Sequence, residues 1–231
     1  MSVVRAALPS AATLLCLAAG YAAIAAVLGG DPALAAWFVL FAHFLDVADG
    51  RLARLLGATS RFGAELDSFA DLTTFVIAPA VLADALFFRE WGPAGLALSF
   101  AMVAAGALRL ARFNLQAADG PSDTFVGLPT SIAATLVAGW VPFSRTLWGE
   151  YRYPVVAAVL LLLAAALMVS TVRFQKAPPL TPRRLRTRWQ DRIYLAAVLS
   201  VLVYPSLAFF VWASVYVLHG LVTGRRAHRA P

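Results

Sequence analysis

Five acidic residues crowd into the stretch from Asp46 to Asp71, in a chain of 231 residues that holds only 12. Asp46, Asp49, Glu65, Asp67 and Asp71 lie between long apolar runs, where an ionisable group is costly and marks a functional site by default. Their spacing is helical. Asp46, Asp49, Gly50 and Ala53 fall at i, i+3, i+4 and i+7, which is one helix face, and Gly63, Asp67 and Asp71 follow at i, i+4 and i+8. Gly57 can end the first helix, and Thr59 or Ser60 can cap the second. The stretch therefore predicts a helical hairpin whose acidic stripes face each other. Four carboxylates converging at partly buried depth repel as anions, so they must be protonated, paired with arginine or gathered around cations. An all-oxygen ligand set suits hard ions such as Mg²⁺, Mn²⁺ or Ca²⁺. Gly50, Ala53 and Gly63 leave room on the same faces for a neighbouring backbone or a bulky ligand.

The surroundings exclude a soluble domain, since 61% of the residues are hydrophobic and 13% charged. The apolar segments run close to spanning length, which predicts one all-α, polytopic membrane domain over residues 1–231. The net charge of +7 comes from 18 arginines and one lysine. Positive-inside topology accounts for it, with no nucleic-acid partner. Cys16 stands alone in an apolar run, so no disulfide framework is expected and a buried packing role is.

Eight helices are predicted, in order. The first runs from Ser10 to Leu28; although Arg5 and its small residues imitate a signal peptide, its length is enough to span. The second starts at Pro32 and carries Asp46 near its far end; His43, one turn earlier, is a packing residue or, as the alternative, a ligand or a partner to one. The third extends from Ser60 to Phe88, long enough to protrude from the hydrocarbon. The fourth covers Pro93 to Asn114, and a polar loop then reaches Phe125. Gly127–Leu147 and Pro154–Val172 supply two more. A basic loop follows, and the apolar stretch Ile193–Val222 splits at Tyr204-Pro205 into the last pair. With both termini cytoplasmic, this topology places 16 of the 19 basic residues on one side, leaving Arg89, Arg145 and Arg152 on the other. The acidic stretch then lies at the cytoplasmic face of the cell (inner) membrane.

The pattern D-x₂-D-G-x₂-A-R-x₈-G-x₃-D-x₃-D is complete from Asp46 to Asp71 and resembles the signature of the CDP-alcohol phosphotransferase family. Eight fixed residues at fixed spacing make this a specific signal. The resemblance implies an integral membrane enzyme that moves a phosphatidyl-type group from a CDP-linked donor to an alcohol and releases CMP. It further implies two divalent ions, Mg²⁺ or Mn²⁺ with Ca²⁺ as a substitute, held by Asp46, Asp49, Asp67 and Asp71. Asp71 is the implied base for the acceptor hydroxyl. Donor contacts are implied at Asp46, Asp49, Gly50, Ala53, Arg54, Gly63 and Asp67, and many members of the family are homodimers.

A second segment narrows the acceptor. Arg109 and Arg112 stand three apart on one face of the fourth helix, where their guanidinium groups offer fixed donors for phosphate or carboxylate. The run Arg109-Leu-Ala-Arg112-Phe113-Asn114, followed by Gly127-Leu128-Pro129, is similar to the phosphatidylserine synthase branch. So are Ser170-Thr-Val-Arg-Phe174 and the terminal helix pair. At Thr130-Ser131 the chain departs from that branch, which commonly has Pro-Ala there. The branch implies CDP-diacylglycerol and L-serine as substrates, with Arg109, Arg112 and Asn114 holding acceptor or lipid phosphate. Glycerol 3-phosphate, an inositol phosphate or choline are the alternative acceptors. An intramembrane carboxylate transporter is the alternative of another class, but it expects inverted repeats that are not visible here.

Overall fold

The computed structural model describes residues 3–56, 60–117, 124–175 and 189–227, with side chains described at 10–47, 60–116, 124–175 and 195–224. Among these are eight helices: α1 (Val3–Leu28), α2 (Pro32–Leu56), α3 (Arg61–Trp91), α4 (Pro93–Ala117), α5 (Thr130–Trp148), α6 (Pro154–Val169), α7 (Trp189–Val203) and α8 (Pro205–Ala227). Four contain stretches long and apolar enough to cross a membrane: Ser10–Leu28, Arg61–Trp91, Pro93–Gln116 and Pro205–Gly224. Pro32–Val47 and Pro154–Val169 are shorter apolar helices. The molecule is a helical membrane bundle.

The expected hairpin entry is built at Ser60, whose side chain accepts from the Gly63 N–H at 3.0 Å. Gly57 and Thr59 lie outside the described residues. At a rise of about 1.5 Å per residue, α3 is roughly 45 Å long, against a hydrocarbon core of about 30 Å. Its first turns, which carry Asp67 and Asp71, therefore have length to reach the membrane boundary.

Helix α3 is not a uniform α-helix. After Asp71 it widens into a π-helical turn over Leu72–Ile77, and again over Asp84–Phe88. Pro79 gives the first widening a cause: it has no N–H, and its ring would crowd the carbonyl four residues back in a regular helix. Within the widened turn, Thr74 donates to the Cys16 carbonyl of α1 at 3.0 Å. Gly20 faces that threonine so closely that an added Cβ would lie 2.3 Å from Thr74 Oγ1. Small residues do the same work between α1 and α2, where Ala19, Ala23, Ala35 and Ala36 are buried and let backbones approach.

One short sheet accompanies the expected helices. Thr124–Val126 (β1) and Arg173–Gln175 (β2) form an antiparallel ribbon, with Phe125 opposite Phe174 and Val126 opposite Arg173. The predicted polar loop thus ends in a strand. The sixth helix stops at Val169 rather than Val172 so that the next residues can pair. Phe174 is wholly buried and stacks on Tyr216 of α8, whose hydroxyl donates to the Gln175 carbonyl at 2.8 Å. The expected break at Tyr204-Pro205 separates α7 from α8, and Trp212 Nε1 donates to Ser200 Oγ at 2.7 Å to hold the pair together. Within the basic loop, Lys176, Arg183, Arg184, Arg186 and Arg188 lie outside the described residues.

Candidate active site

The carboxylates of Asp46, Asp67 and Asp71 meet across the α2–α3 hairpin, each offering an oxygen, with all three oxygens within 4.8 Å of one another. Helix periodicity explains why: Asp67 and Asp71 are one turn apart on α3, and Asp46 faces them from α2. Asp49, Gly50, Ala53 and Arg54 continue along α2, but their side chains lie outside those described. Gly63 stands two turns before Asp71 on the same α3 stripe, with its N–H bound to Ser60.

Asp71 has two unlike oxygens. Oδ2 accepts from the Thr130 hydroxyl at 3.1 Å. Oδ1 is buried and has no hydrogen-bond partner among the described residues. A buried acceptor without a partner costs about 1–3 kcal/mol. That orphaned oxygen, together with two further carboxylates at ligand spacing, fits a hard divalent cation. Asp46 and Asp67 complete the described part of the donor set.

Arg109 lies close by. It is 5% exposed, packs its guanidinium against Phe113 and Phe125 at 5.1 and 5.7 Å from the ring centroids, and interacts electrostatically with Asp71 and Asp46. Its Nε has no hydrogen-bond partner among the described residues. Arg112, three residues on, does something else. Its Nη1 donates to the Val169 carbonyl at 3.1 Å, and its Nη2 to Val126 and Met168 at 3.0 and 2.8 Å. The guanidinium thus caps the C-terminus of α6 and ties it to β1, where exposed carbonyls and the helix dipole favour a cation. The two arginines share a face in sequence and divide their duties in space. Asn114 turns to α3, with its amide nitrogen 2.9 Å from Ser68 Oγ. His43 packs edge-on to Phe75 and lies 3.4 Å from Thr135 Oγ1, which makes it a contact with α5 rather than a member of the carboxylate cluster.

The turn before α5 is fixed from several sides. Gly127 adopts φ +80°, and an added Cβ would lie 2.4 Å from the Met168 carbonyl and 2.5 Å from Arg112 Nη2. Its N–H donates to Val172, and that of Leu128 to Leu167. Thr130 is a neighbour of Asp71 to which motif reading gave no role. The sequence shows it as a departure from the branch pattern after Gly-Leu-Pro.

The family model described as CDP-alcohol phosphatidyltransferase matches residues 6–172, which takes in the whole hairpin and the turn before α5. The chain belongs to this family. As a CDP-alcohol phosphatidyltransferase family member it has relatives named CDP-diacylglycerol–serine O-phosphatidyltransferase. The one from Helicobacter pylori is 32% identical over 195 residues, covering 82% of this chain and 78% of the relative. That from Mycobacterium tuberculosis is 38% identical over 137 residues, 57% of this chain and 48% of its own. The Saccharomyces cerevisiae protein of the same name is 42% identical over 110 residues, 45% and 39% of the two chains. This family member is a membrane enzyme of phosphatidyl transfer, and its three-carboxylate centre lies inside the matched region.

Proposed function

We propose that this enzyme transfers the phosphatidyl group of CDP-diacylglycerol to the hydroxyl of L-serine, giving phosphatidylserine and CMP. The observation that carries the reading is the meeting of Asp46, Asp67 and Asp71 within 4.8 Å, in a chain of a family that performs this class of transfer. The names of the relatives support serine as acceptor.

Asp46, Asp49, Asp67 and Asp71 would hold two divalent cations, Mg²⁺ or Mn²⁺ with Ca²⁺ as a substitute, whose charge when bound neutralises the donor's phosphate oxygens. The chain's own groups do the rest by position and charge. Asp71 takes the proton of the serine hydroxyl as that oxygen bonds to the phosphatidyl phosphorus. The bond from phosphorus to the bridging oxygen breaks, and its electron pair leaves on CMP. Gly50, Ala53 and Gly63 make room for the cytidine and pyrophosphate, and Arg54 adds positive charge beside them. Arg109, buried and with an Nε that has no partner among the described residues, would hold the donor phosphate or the serine carboxylate. Asn114 lines the α3–α4 side with Ser68. Arg112 serves this site through the turn it fastens, since its guanidinium is already committed to three carbonyls.

The distribution of 16 of 19 basic residues supports an orientation with both termini and the site on the cytoplasmic side of the cell (inner) membrane. Residues 1–231 would form one domain that acts as a homodimer among membrane lipids.

The test is an acceptor panel. Protein purified in detergent, given CDP-diacylglycerol and Mn²⁺, is offered L-serine, glycerol 3-phosphate, an inositol phosphate or choline, and both CMP and lipid product are quantified. Serine alone should yield stoichiometric CMP and an amino-phospholipid. Product with a different alcohol only would keep the reaction class and discard serine.

A further inference from the structure

Thr130 is the first residue of α5, one past the cap position and beside the helix's own free N–H groups, which a nearby hydroxyl could serve. It does not do so here. The cap position is Pro129, no side chain caps the end, and the Thr130 hydroxyl instead crosses to Asp71 Oδ2 at 3.1 Å while the residue is 1% exposed. A buried hydroxyl has one proton to donate, and this one is directed at a single oxygen of a single carboxylate. The other oxygen, Oδ1, is left buried and unpartnered among the described residues.

The platform beneath Thr130 is held by hydrogen bonds from several sides. Arg112 binds the Val126, Met168 and Val169 carbonyls on either side of the turn. The N–H groups of Gly127 and Leu128 are bound to Val172 and Leu167, and Ala133 N–H returns to the Pro129 carbonyl at 3.0 Å. One turn further along α5, Thr135 lies against His43, one turn before Asp46 on α2. The start of α5 therefore touches both helices that supply the carboxylates. Groups that hydrogen-bond a ligating or reacting carboxylate fix its orientation, and losing them costs about 10- to 100-fold in metal affinity or activity.

We infer that Thr130 is a positioning residue: by holding Asp71 Oδ2 it turns Oδ1 towards Asp46 and Asp67, so that one defined oxygen of Asp71 serves the centre. The inference rests on the functional reading above for its kinetic arm only.

The test compares Thr130→Val, which keeps the shape and removes the hydroxyl, with Thr130→Ser, which keeps the hydroxyl. Mn²⁺ affinity is read by electron paramagnetic resonance on the purified chain without substrate, and kcat and KM for CDP-diacylglycerol by CMP release at saturating Mn²⁺ and serine. Thr130→Val should lower both Mn²⁺ affinity and kcat by about 10- to 100-fold. The KM for the donor should stay near the parent value, and Thr130→Ser should recover most of both losses. A Thr130→Val protein with parental affinity and kcat would overturn the inference. So would a Thr130→Ser protein damaged as much as the valine variant, which would mark the site as packing alone. If the parent releases no CMP with any acceptor, the transferase reading fails. A valine–serine split in Mn²⁺ affinity then still upholds Thr130, and equal affinities still reject it.

Discussion

The two ends of α5 serve opposite purposes. At its start, the chain gathers groups that are costly to bury: Asp71 Oδ1 and Arg109 Nε, neither with a hydrogen-bond partner among the described residues, and Thr130 reaching from one helix to another. At its far end, about 27 Å away by helical rise, apolar rings fill the space. Trp140 packs on Phe143, Trp148 and Phe210 with centroids 5.2–5.8 Å apart, and Phe143 meets Phe210 at 4.6 Å. Its charged groups stay at the surface, where Glu150 pairs with Arg152 and Arg145 lies over Tyr151. Aromatic girdles of this kind suit a membrane boundary. The difference lies in charge, since Trp140 Nε1 is also buried without a hydrogen-bond partner among the described residues: one end keeps its ionisable groups at the surface, and the other buries them for chemistry.

Substitutions at the two ends should separate activity from stability. Asp71→Asn is expected to lower CMP release by about 10²- to 10⁴-fold, the range for loss of a general base. CDP-diacylglycerol binding, measured by calorimetry, should survive; normal turnover would remove Asp71 from the base role. At the other end, Trp140→Ala should cost about 3–5 kcal/mol of stability. Its kcat per folded molecule should remain at the parent level, and a fall in kcat without a fall in thermal stability would break the contrast. Gly127→Ala stands between the two regimes. It forces a side chain into a φ of +80° and against Met168 and Arg112. A stability loss of about 1–3 kcal/mol is expected, along with reduced turnover because the same turn carries Thr130. Arg145→Ala, at an exposed position, should change stability by less than about 0.5 kcal/mol, and activity not at all.

Much of this arrangement was legible in the residues. The i, i+4, i+8 stripe predicted that Asp67 and Asp71 share a face opposite Asp46, and they do. Ser60 as a cap and Pro205 as a break follow from local chemistry that needs no tertiary information. The ribbon was not legible, because three-residue strands are too short to show an alternating period. Nor were the π-helical turns, whose cause at Pro79 is local but whose docking on α1 through Thr74 is not. The arginine pair is the most instructive case. Spacing puts Arg109 and Arg112 on one face, and only the packed structure shows that one guanidinium packs on rings in the field of the carboxylates while the other binds carbonyls. Thr130 was visible as a departure from its branch, without a partner to explain it. Spacing in one helix says nothing of which side chain on another it will meet.

The central claim is that the carboxylates of α2 and α3 form a metal-dependent centre of phosphatidyl transfer. The most direct test titrates Mn²⁺ into chelator-treated protein and follows bound Mn²⁺ and serine-dependent CMP release in the same samples, for the parent and for Asp67→Asn. The account predicts that CMP release rises in step with occupancy in the parent, and that Asp67→Asn loses both together by about 10-fold or more. Full CMP release in the presence of excess chelator, or unchanged Mn²⁺ binding in Asp67→Asn, would contradict it.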